Sequence, residues 1–270
     1  MSYRRIRNVV LKEWQVMFCD PNSALLVTLL PLLIVGQGIM YIWLSCRFGG
    51  EDLIGSSLIQ NALHNLAQTI PSVAELGSED QLKVLLLSQF SFFLLLIPTM
   101  IAMSLATFSI VEEKLSGSLE PLLATPVRTG ELLLGKALSG AIPALLATWV
   151  CAGVFAAVTV AIGWGDLLHL VVNPAWFISL FLITPAIVVL SFVLGVIGSS
   201  RAKDSRSAQT GAVLVVLPVF ALIAVQVTGV VWFGPLGATG LALGIGALDM
   251  ILLRVAIRLF QRESIVVLWR

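Results

Sequence analysis

The sequence predicts an all-α membrane protein with six transmembrane helices, an amphipathic N-terminal helix in the membrane interface and a short helix on the cytoplasmic face. Of its 270 residues, 58% are hydrophobic and 11% are charged, whereas soluble chains carry about 25% charged residues. Apolar stretches of membrane-spanning length recur along the chain, and basic residues cluster in alternate connections between them. The net charge of +1 gives no indication of a nucleic-acid partner.

The first 22 residues predict an amphipathic helix that lies in the membrane interface. Apolar residues recur every three or four positions and form one stripe, which consists of Tyr3, Ile6, Val10, Trp14 and Met17. Basic residues lie largely off this stripe, at Arg4, Arg5, Arg7 and Lys12. We therefore expect the stripe to face lipid and the basic side to face anionic headgroups. Asp20 and Pro21 then end this helix before the first span.

Six stretches have the roughly 20 mostly apolar residues that a membrane helix needs. They are Ser23–Cys46, Val84–Val111, Ala137–Ile162, Pro174–Ser199, Thr210–Phe233 and Leu236–Ile257. Gly234 and Pro235 separate the last two spans and predict a tight hairpin. Five spans contain an internal proline, at which we expect a bend: Pro31, Pro98, Pro143, Pro185 and Pro218.

The distribution of basic residues predicts the orientation. All 16 lysines and arginines except Arg47 and Lys83 fall in the N-terminal segment, in the loops 111–136 and 200–210, or at and beyond the end of the sixth span. The positive-inside rule then places both termini and the tail 258–270 in the cytoplasm, in a multi-pass protein of the plasma or inner membrane.

The outer segment between the first two spans, residues 48–82, predicts a short amphipathic helix on or in the outer leaflet. Its apolar residues recur every four positions, at Ile54, Leu58, Ala62, Leu66 and Ile70. This helix is either a lid over an exit path or a passive surface helix.

A partial phosphate-loop motif occurs at Gly130–Ala137, but the sequence does not support a nucleotide site. The pattern G-x-x-x-x-G-K-[ST] is met except at Ala137, where the hydroxyl that binds magnesium is missing. No strand precedes the motif, and three leucines fill it. We expect Lys136 instead to extend from the inner end of the third span to the lipid headgroups.

The sequence carries no motif for catalysis or metal binding. His64 and His169 fall on the predicted outer side, and a pair of carboxylates within the spans is missing. Cys19, Cys46 and Cys151 are too scattered for a metal cluster or disulfide framework. We therefore expect no enzyme activity, metal or cofactor in this chain.

The sixth span contains two features that point to packing or to a pathway. Asp249 lies within the span, where an aspartate costs roughly 2.5–3.5 kcal/mol on insertion scales. It should face the bundle interior or a water-filled cavity, either as a structural partner or as part of a pathway. Gly240 and Gly244 form G-x-x-x-G, which permits close packing within the subunit or, as the second choice, at a dimer interface.

The inner loop at residues 111–136, VEEKLSGSLEPLLATPVRTGELLLGK, predicts a short helix on the cytoplasmic face between the second and third spans. It resembles the signature loop of ABC-2 type permeases, in which an acidic-basic cluster precedes G-[ST]-L-E-x-L-L-x-[ST]-P. The matching residues are Glu113, Lys114, Gly117, Ser118, Leu119, Glu120, Leu122, Leu123, Thr125 and Pro126. Three further stretches are also similar to the family: E-L-L-L-G-K at 131–136, K-E-W at 12–14 with Asp20-Pro21, and F-Q-R-E at 260–263. The loop departs from the family pattern at Leu115 and Ser116, which replace residues that are charged in many members.

The resemblance implies a six-span permease that forms a pathway with a second permease copy or a paralogue. Two separate cytoplasmic ATPase subunits would bind ATP and grip the coupling helix, with the leader helix beside it. The implied coupling residues are Glu112, Glu113, Lys114, Gly117, Glu120 and Pro126; Arg4, Arg5 and Trp14 belong to the interfacial helix.

Family members mostly export, and spans nearly free of charge favour an apolar or amphipathic substrate. The alternatives are an ion-driven secondary transporter or channel, which predicts several ionisable groups near the midplane and inverted repeats, and a membrane scaffold without transport activity.

Overall fold

The computed structural model describes residues 3–115, 129–201 and 234–259, together with residues 217, 220, 221, 224 and 225. All regular elements in these ranges are helical, which confirms the predicted class for this part of the chain. The α-helices are α1 (Tyr3–Cys19), α2 (Pro21–Phe48), α3 (Gly50–Gly55), α4 (Ser57–Thr69), α5 (Ser78–Phe93), α6 (Leu96–Leu115), α7 (Thr129–Ala161), α8 (Gly165–Val171), α9 (Pro174–Ile178), α10 (Thr184–Arg201) and α11 (Pro235–Leu259). A 3₁₀-helix covers Pro71–Glu75, and a π-helical segment covers Ser179–Ile183.

Five helical segments are long and apolar enough to cross a bilayer. They are Ala24–Phe48, Ser78–Ala106, Leu134–Ala161, Pro174–Gly198 and Pro235–Ala256, and they correspond to five of the six predicted spans. The second starts before the predicted Val84 because helix α5 already begins at Ser78. The remaining predicted span, 210–233, lies largely outside the described residues, and the predicted coupling helix within 116–128 lies wholly outside them.

The spans pack around α6 and α10. α6 contacts both α10 and α7, while α2 packs on α7 and α11 packs on α10. Gly195 permits the close approach of α10 to α6, because a Cβ atom there would lie 3.1 Å from the Cβ of Ala106 and 3.2 Å from the carbonyl oxygen of Met103. Phe155 of α7 is fully buried, and its ring centroid lies 5.1 Å from that of Phe90 on α5.

The bundle has two distinct ends. At the α1 end, α1 packs against the first turns of α7. At the opposite end, called the α4 end, α4 packs against the 3₁₀-helix and α5, and α8 packs against α5 and α7. Each described span runs from one end of the bundle to the other.

Two prolines coincide with interruptions of the helical backbone. Proline lacks an amide hydrogen, and its ring collides with the carbonyl four residues earlier. Pro98 explains the break between α5 and α6 at Leu94 and Leu95. Pro185 follows the π-helical segment, where the hydroxyl of Thr184 donates to the carbonyl of Ser179 over 2.9 Å.

Two more of the five prolines inside the predicted spans, Pro31 and Pro143, lie within the continuous helices α2 and α7. Pro218 lies outside the described residues. A proline in the sequence therefore predicts a lost hydrogen bond at each site, but it predicts a helix interruption at only some of them.

The segment between the first two spans contains the predicted amphipathic helix, α4. Its buried side chains Ala62 and Leu66 are 0% exposed and join the same core as Val35 of α2 and Leu85 of α5. The apolar side of α4 thus packs on protein. Leu58, which the periodicity placed on the same stripe, is 64% exposed, because the stripe is longer than the surface that covers it.

Candidate functional site

The N-terminal helix packs its apolar stripe on the protein, so the prediction that this stripe faces lipid is wrong over most of its length. Val10 and Met17 are buried, and Ile6 and Trp14 are half-buried. Tyr3 is the exception, at 78% exposed. Periodicity identifies the apolar side of a helix but not what covers it, and here α7 and α2 pack against α1.

α1 approaches α7 closely at Gly135. A Cβ atom there would lie 2.7 Å from Cγ1 and 2.8 Å from Cβ of Val9. Both distances are far inside van der Waals contact, and Val9 is branched at Cβ and stiff. Glycine is therefore required at this position if α1 is to keep its place. Gly135, the second glycine of the partial phosphate-loop motif, is thus a helix-packing residue.

Trp14 forms a directional contact between the same two helices. Its indole Nε1 donates to the carbonyl oxygen of Ser139 over 2.9 Å. In a regular α-helix that carbonyl would accept from the amide of residue 143, but residue 143 is a proline and has no amide hydrogen. The proline in the third span therefore frees an acceptor, and the tryptophan of the leader helix uses it.

A buried ion pair joins α1 to both α6 and α7. The Lys136 Nζ atom lies 3.4 Å from Oε1 of Glu13, and the hydroxyl of Ser109 on α6 donates to Oε2 of Glu13 over 2.7 Å. Lys136 also donates to the hydroxyl of Ser109. The Lys136 side chain is 3% exposed and that of Glu13 is 13% exposed. The prediction that Lys136 reaches the lipid headgroups is therefore wrong, because Glu13 supplies a counter-charge inside the protein.

The pKa of Glu13 lies below its usual value of 4.5. Burial raises this pKa, but the charge of Lys136, the hydrogen bond from Ser109 and the neighbouring Lys12 together outweigh burial. Glu13 is consequently ionised at neutral pH. Removing one partner of such a buried pair leaves the other charge uncompensated, which costs about 3–5 kcal/mol.

A second ion pair lies at the N-terminus of α7. Arg5 Nη1 lies 3.5 Å from Oε2 of Glu131, whose side chain is 3% exposed. Glu131 sits in the first turn of α7, where a negative charge also interacts favourably with the helix dipole. Together with Gly135, Trp14 and the Glu13–Lys136 pair, this contact defines the α1–α6–α7 junction.

The junction flanks the predicted coupling loop on both sides. Ser109 precedes the predicted coupling residues Glu112, Glu113 and Lys114, whose backbone forms the last turns of α6. Lys136 lies on α7, ten residues after Pro126, the last predicted coupling residue. The other predicted coupling residues, Gly117, Glu120 and Pro126, lie outside the described residues. Arg4 of the interfacial helix is exposed.

Asp249 lies on the side of α11 that packs against α10. It is 7% exposed and lies one turn after Ile245, which belongs to the same buried cluster as Ile187 and Leu190. Within the described ranges, its Oδ1 atom has no hydrogen-bond partner. Gly240 and Gly244 are exposed instead, and no described side chain or neighbouring helix comes within 4 Å of a Cβ placed on either. The described helices therefore leave the G-x-x-x-G motif uncovered.

Sequence reasoning named Trp14 and Arg5 but did not foresee their partners. It also missed Glu13, Ser109 and Lys136 as a unit, because they are separated by up to 123 residues. The sequence did contain one signal. Glu13 in K-E-W and Lys136 in E-L-L-L-G-K both lie next to apolar spans, and each needs a counter-charge if it is buried.

Comparison with protein families connects this arrangement to a known class. The family model described as ABC-2 family transporter protein matches residues 7–240. The match begins within α1, includes the whole α7 helix and the predicted coupling loop, and ends in α11. No match is found among curated proteins. Since the family model covers most of the chain, the protein belongs to the ABC-2 family of transporter proteins and is a multi-pass membrane component of an ABC transporter.

Proposed function

We propose that this chain is the permease subunit of an ATP-driven exporter whose ATPase is a separate subunit, and that the α1–α6–α7 junction transmits the movement of that ATPase to the spans. The observation that carries the proposal is the position of Glu13. Its two carboxylate oxygens contact Ser109 on α6 and Lys136 on α7, the two helices that border the coupling loop.

A force on the coupling loop acts on the end of α6 and the start of α7. Glu13 ties these helices together, and Val9 against Gly135 fixes the position of α1 on α7. Close-packed interiors have low compressibility and transmit displacement. The helices α1, α6 and α7 therefore move as one body, and the spans that contain α6 and α7 are displaced together.

The topology of the described ranges supports the predicted span Thr210–Phe233. α10 ends at the α1 end, since its C-terminal half packs near Ala106, three residues before Ser109. Gly234 lies at the α4 end, where a Cβ atom would be 3.8 Å from Thr69. The intervening residues connect opposite ends of the bundle. Six spans place both termini on one side, and the concentration of basic residues assigns that side to the cytoplasm.

The character of the spans favours an apolar or amphipathic substrate. In the central parts of the five described spans, Asp249 is the one ionisable acidic or basic residue. A fully charged substrate would find few countercharges there. The outward side of α2 is apolar, with Leu29, Leu33 and Met40 about half exposed. This surface suits lipid or a second permease copy.

The test is to purify the tagged chain from its native membrane and identify the proteins that accompany it. We expect an ATP-binding-cassette ATPase in the complex, and in reconstituted vesicles we expect ATP to drive movement of a lipophilic fluorescent dye. Glu120→Lys and Gly117→Val should weaken ATPase retention or separate hydrolysis from transport, since both change the predicted coupling loop. Dye movement driven by an ion gradient without any ATPase would instead establish a secondary transporter.

A further inference from the structure

Trp149 of α7 donates a hydrogen bond to the backbone of the fourth predicted span. Its indole Nε1 lies 3.2 Å from the carbonyl oxygen of Leu180, within the π-helical segment. Its ring also contacts Phe181, with centroids 5.6 Å apart. Trp149 is 37% exposed on the outward side of the bundle, where a bilayer supplies no water that could replace a lost donor. The indole therefore satisfies a carbonyl that would be costly to leave unpaired.

The Leu180 carbonyl needs this donor because both of its regular helical donors are missing. In an α-helix it would accept from the amide of Thr184. That amide donates to the carbonyl of Ser179 instead, and the Thr184 hydroxyl donates to the same oxygen over 2.9 Å. In a π-helix the Leu180 carbonyl would accept from residue 185, which is Pro185 and has no amide hydrogen.

Pro185 leaves one carbonyl without a regular donor in either helical register of this segment. In the π register that carbonyl belongs to Leu180, and in a regular α-helix it would belong to Phe181, four residues before the proline. Trp149 bonds to the Leu180 carbonyl, which is the one that the π register leaves unpaired. Trp149 therefore stabilises the π register relative to the α register.

A change of register would turn the first part of this span. One residue of an α-helix corresponds to about 100° of rotation and about 1.5 Å of rise. If the π-helical segment became α-helical, α9 would therefore rotate by about 100° relative to α10. Phe177 on α9 is 48% exposed, whereas its neighbours Trp176 and Ile178 are half-buried. The rotation would carry Phe177 to the position of one of these neighbours and reduce its exposure.

α7 connects the Trp149 hydrogen bond to the α1–α6–α7 junction. It is one uninterrupted helix over Thr129–Ala161, and Trp149 lies about 20 Å further along its axis than Lys136 of the junction. Close-packed helices transmit displacement. A movement of the junction therefore displaces the indole relative to the Leu180 carbonyl.

We propose that Trp149 is a positioning residue for transport: its indole holds the fourth span in the π register, and a movement of α7 that withdraws the indole lets the segment become α-helical and turns α9. The amide of Thr184 then takes the place of the indole at the Leu180 carbonyl. This inference rests on the proposed function, because the ATPase supplies the movement of α7.

The test measures the register by fluorine NMR of the full-length chain in phosphatidylcholine nanodiscs without the ATPase. 4-Trifluoromethyl-phenylalanine replaces Phe177, and a spin-labelled lipid broadens the signal of a ring that faces the bilayer. We expect one main, broadened signal from the parent. Trp149→Phe should raise a second, less broadened signal about fivefold relative to the first, the ratio expected for the loss of one hydrogen bond.

The matched control is Trp43→Phe, because Trp43 is another exposed tryptophan of a span and its indole donates no hydrogen bond within the described ranges. It should give the parent spectrum. A further variant deletes Leu182, which is 47% exposed, and so removes the extra residue of the π-helical segment. We expect α9 to keep its orientation in this variant and to show one broadened signal with or without Trp149→Phe. Each variant is accepted as folded when its gel-filtration profile matches the parent.

The ATP hydrolysed per dye molecule moved, measured with the ATPase present, distinguishes positioning from a purely structural role. The variant without Leu182 should hydrolyse ATP but move no dye, because its fourth span has a single register. Trp149→Phe should raise the ATP consumed per dye molecule, whereas Trp43→Phe should not.

Two results would overturn the inference: a Trp149→Phe spectrum equal to that of Trp43→Phe, or full dye movement by the variant without Leu182. The fluorine measurement contains neither ATP nor the ATPase, so the first result would leave the proposed ATP-driven export intact. Conversely, if no ATPase accompanies the chain, the proposed export is refuted, and the fluorine spectra still decide whether Trp149 holds the register.

Discussion

The indole of Trp14 donates to the carbonyl oxygen of Ser139, the acceptor that Pro143 deprives of its regular helical donor. A residue near the N-terminus is thus held by a backbone defect in the third span. The same relationship makes the contact testable, because restoring the missing amide should make the tryptophan dispensable as a hydrogen-bond donor.

Trp14→Phe should lower the free energy of unfolding by about 1–3 kcal/mol, since it leaves a part-buried carbonyl without a donor. In the Pro143→Ala background, the new amide satisfies Ser139, so Trp14→Phe should cost less. Unfolding of the four proteins in detergent gives the coupling energy. Trp149→Phe is the control, because Trp149 donates to Leu180 instead and should combine additively with Pro143→Ala. Additive effects of Trp14→Phe and Pro143→Ala would contradict the competition of the indole and the new amide for the Ser139 carbonyl.

Glu13→Gln and Lys136→Met should each destabilise the protein by about 3–5 kcal/mol, because each leaves one buried charge unpaired. The double variant should recover part of this loss, since neither charge remains. Chemical unfolding measures the effect, and retention of the ATPase measures its consequence for coupling. Lys83→Met tests a more exposed pair, in which Asp80 is 45% exposed, and should cost less than about 1 kcal/mol. Equal losses in the single and double variants would exclude mutual compensation.

The lowered pKa of Glu13 predicts the pH at which its contribution to stability disappears. The folded-state pKa lies below the unfolded value near 4.5, so the unfolded state binds the proton more readily. The contribution is therefore complete above about pH 4.5 and is lost as the pH falls through the folded pKa. The difference in unfolding free energy between the parent and Glu13→Gln should stay constant from pH 7 to 5 and shrink below 4.5. A difference that shrinks already between pH 7 and 6 would contradict the assigned pKa.

Gly135→Ala should displace α1 from α7, because the added Cβ would lie 2.7 Å from Val9. We expect trypsin to cleave after Arg7 and Lys12 faster in this variant, and less ATPase to remain bound. Gly153→Ala is the matched control on the same helix, where a Cβ meets no atom within 4 Å. The control should behave as the parent. Unchanged cleavage in Gly135→Ala would show that α1 tolerates the shift.

Two substitutions of Asp249, to Asn and to Leu, distinguish a role in the transport pathway from a role in packing. Asp249→Asn keeps the shape of the side chain and a polar group but removes the carboxylate. If Asp249 serves the pathway, Asn should impair export while membrane levels stay normal. If it is structural, Asn should be tolerated and Asp249→Leu should lower the amount of assembled protein. Normal export and abundance in both variants would refute both roles.

Composition and charge were sufficient to predict the five spans that the structure describes, because a bilayer imposes a length and an apolar character that can be read locally. Composition and charge were not sufficient to predict the contacts of the α1–α6–α7 junction. Lys136 resembles any basic residue at a membrane boundary until Glu13 is placed beside it. Pro143 resembles any membrane proline until Trp14 is placed against its freed acceptor. In each case the partner is more than 120 residues distant in sequence, and the local pattern does not identify it.

The distance between Trp14 and its acceptor also has a consequence for biosynthesis. These residues are 125 positions apart, and at roughly 5–20 residues per second the ribosome needs about 6–25 s to make the intervening chain. Throughout that interval α1 exists without α7, and the apolar stripe that α7 later covers is free to lie on the membrane surface. We therefore expect the bilayer surface to hold the amphipathic helix α1 until the third span is inserted and provides the permanent docking site.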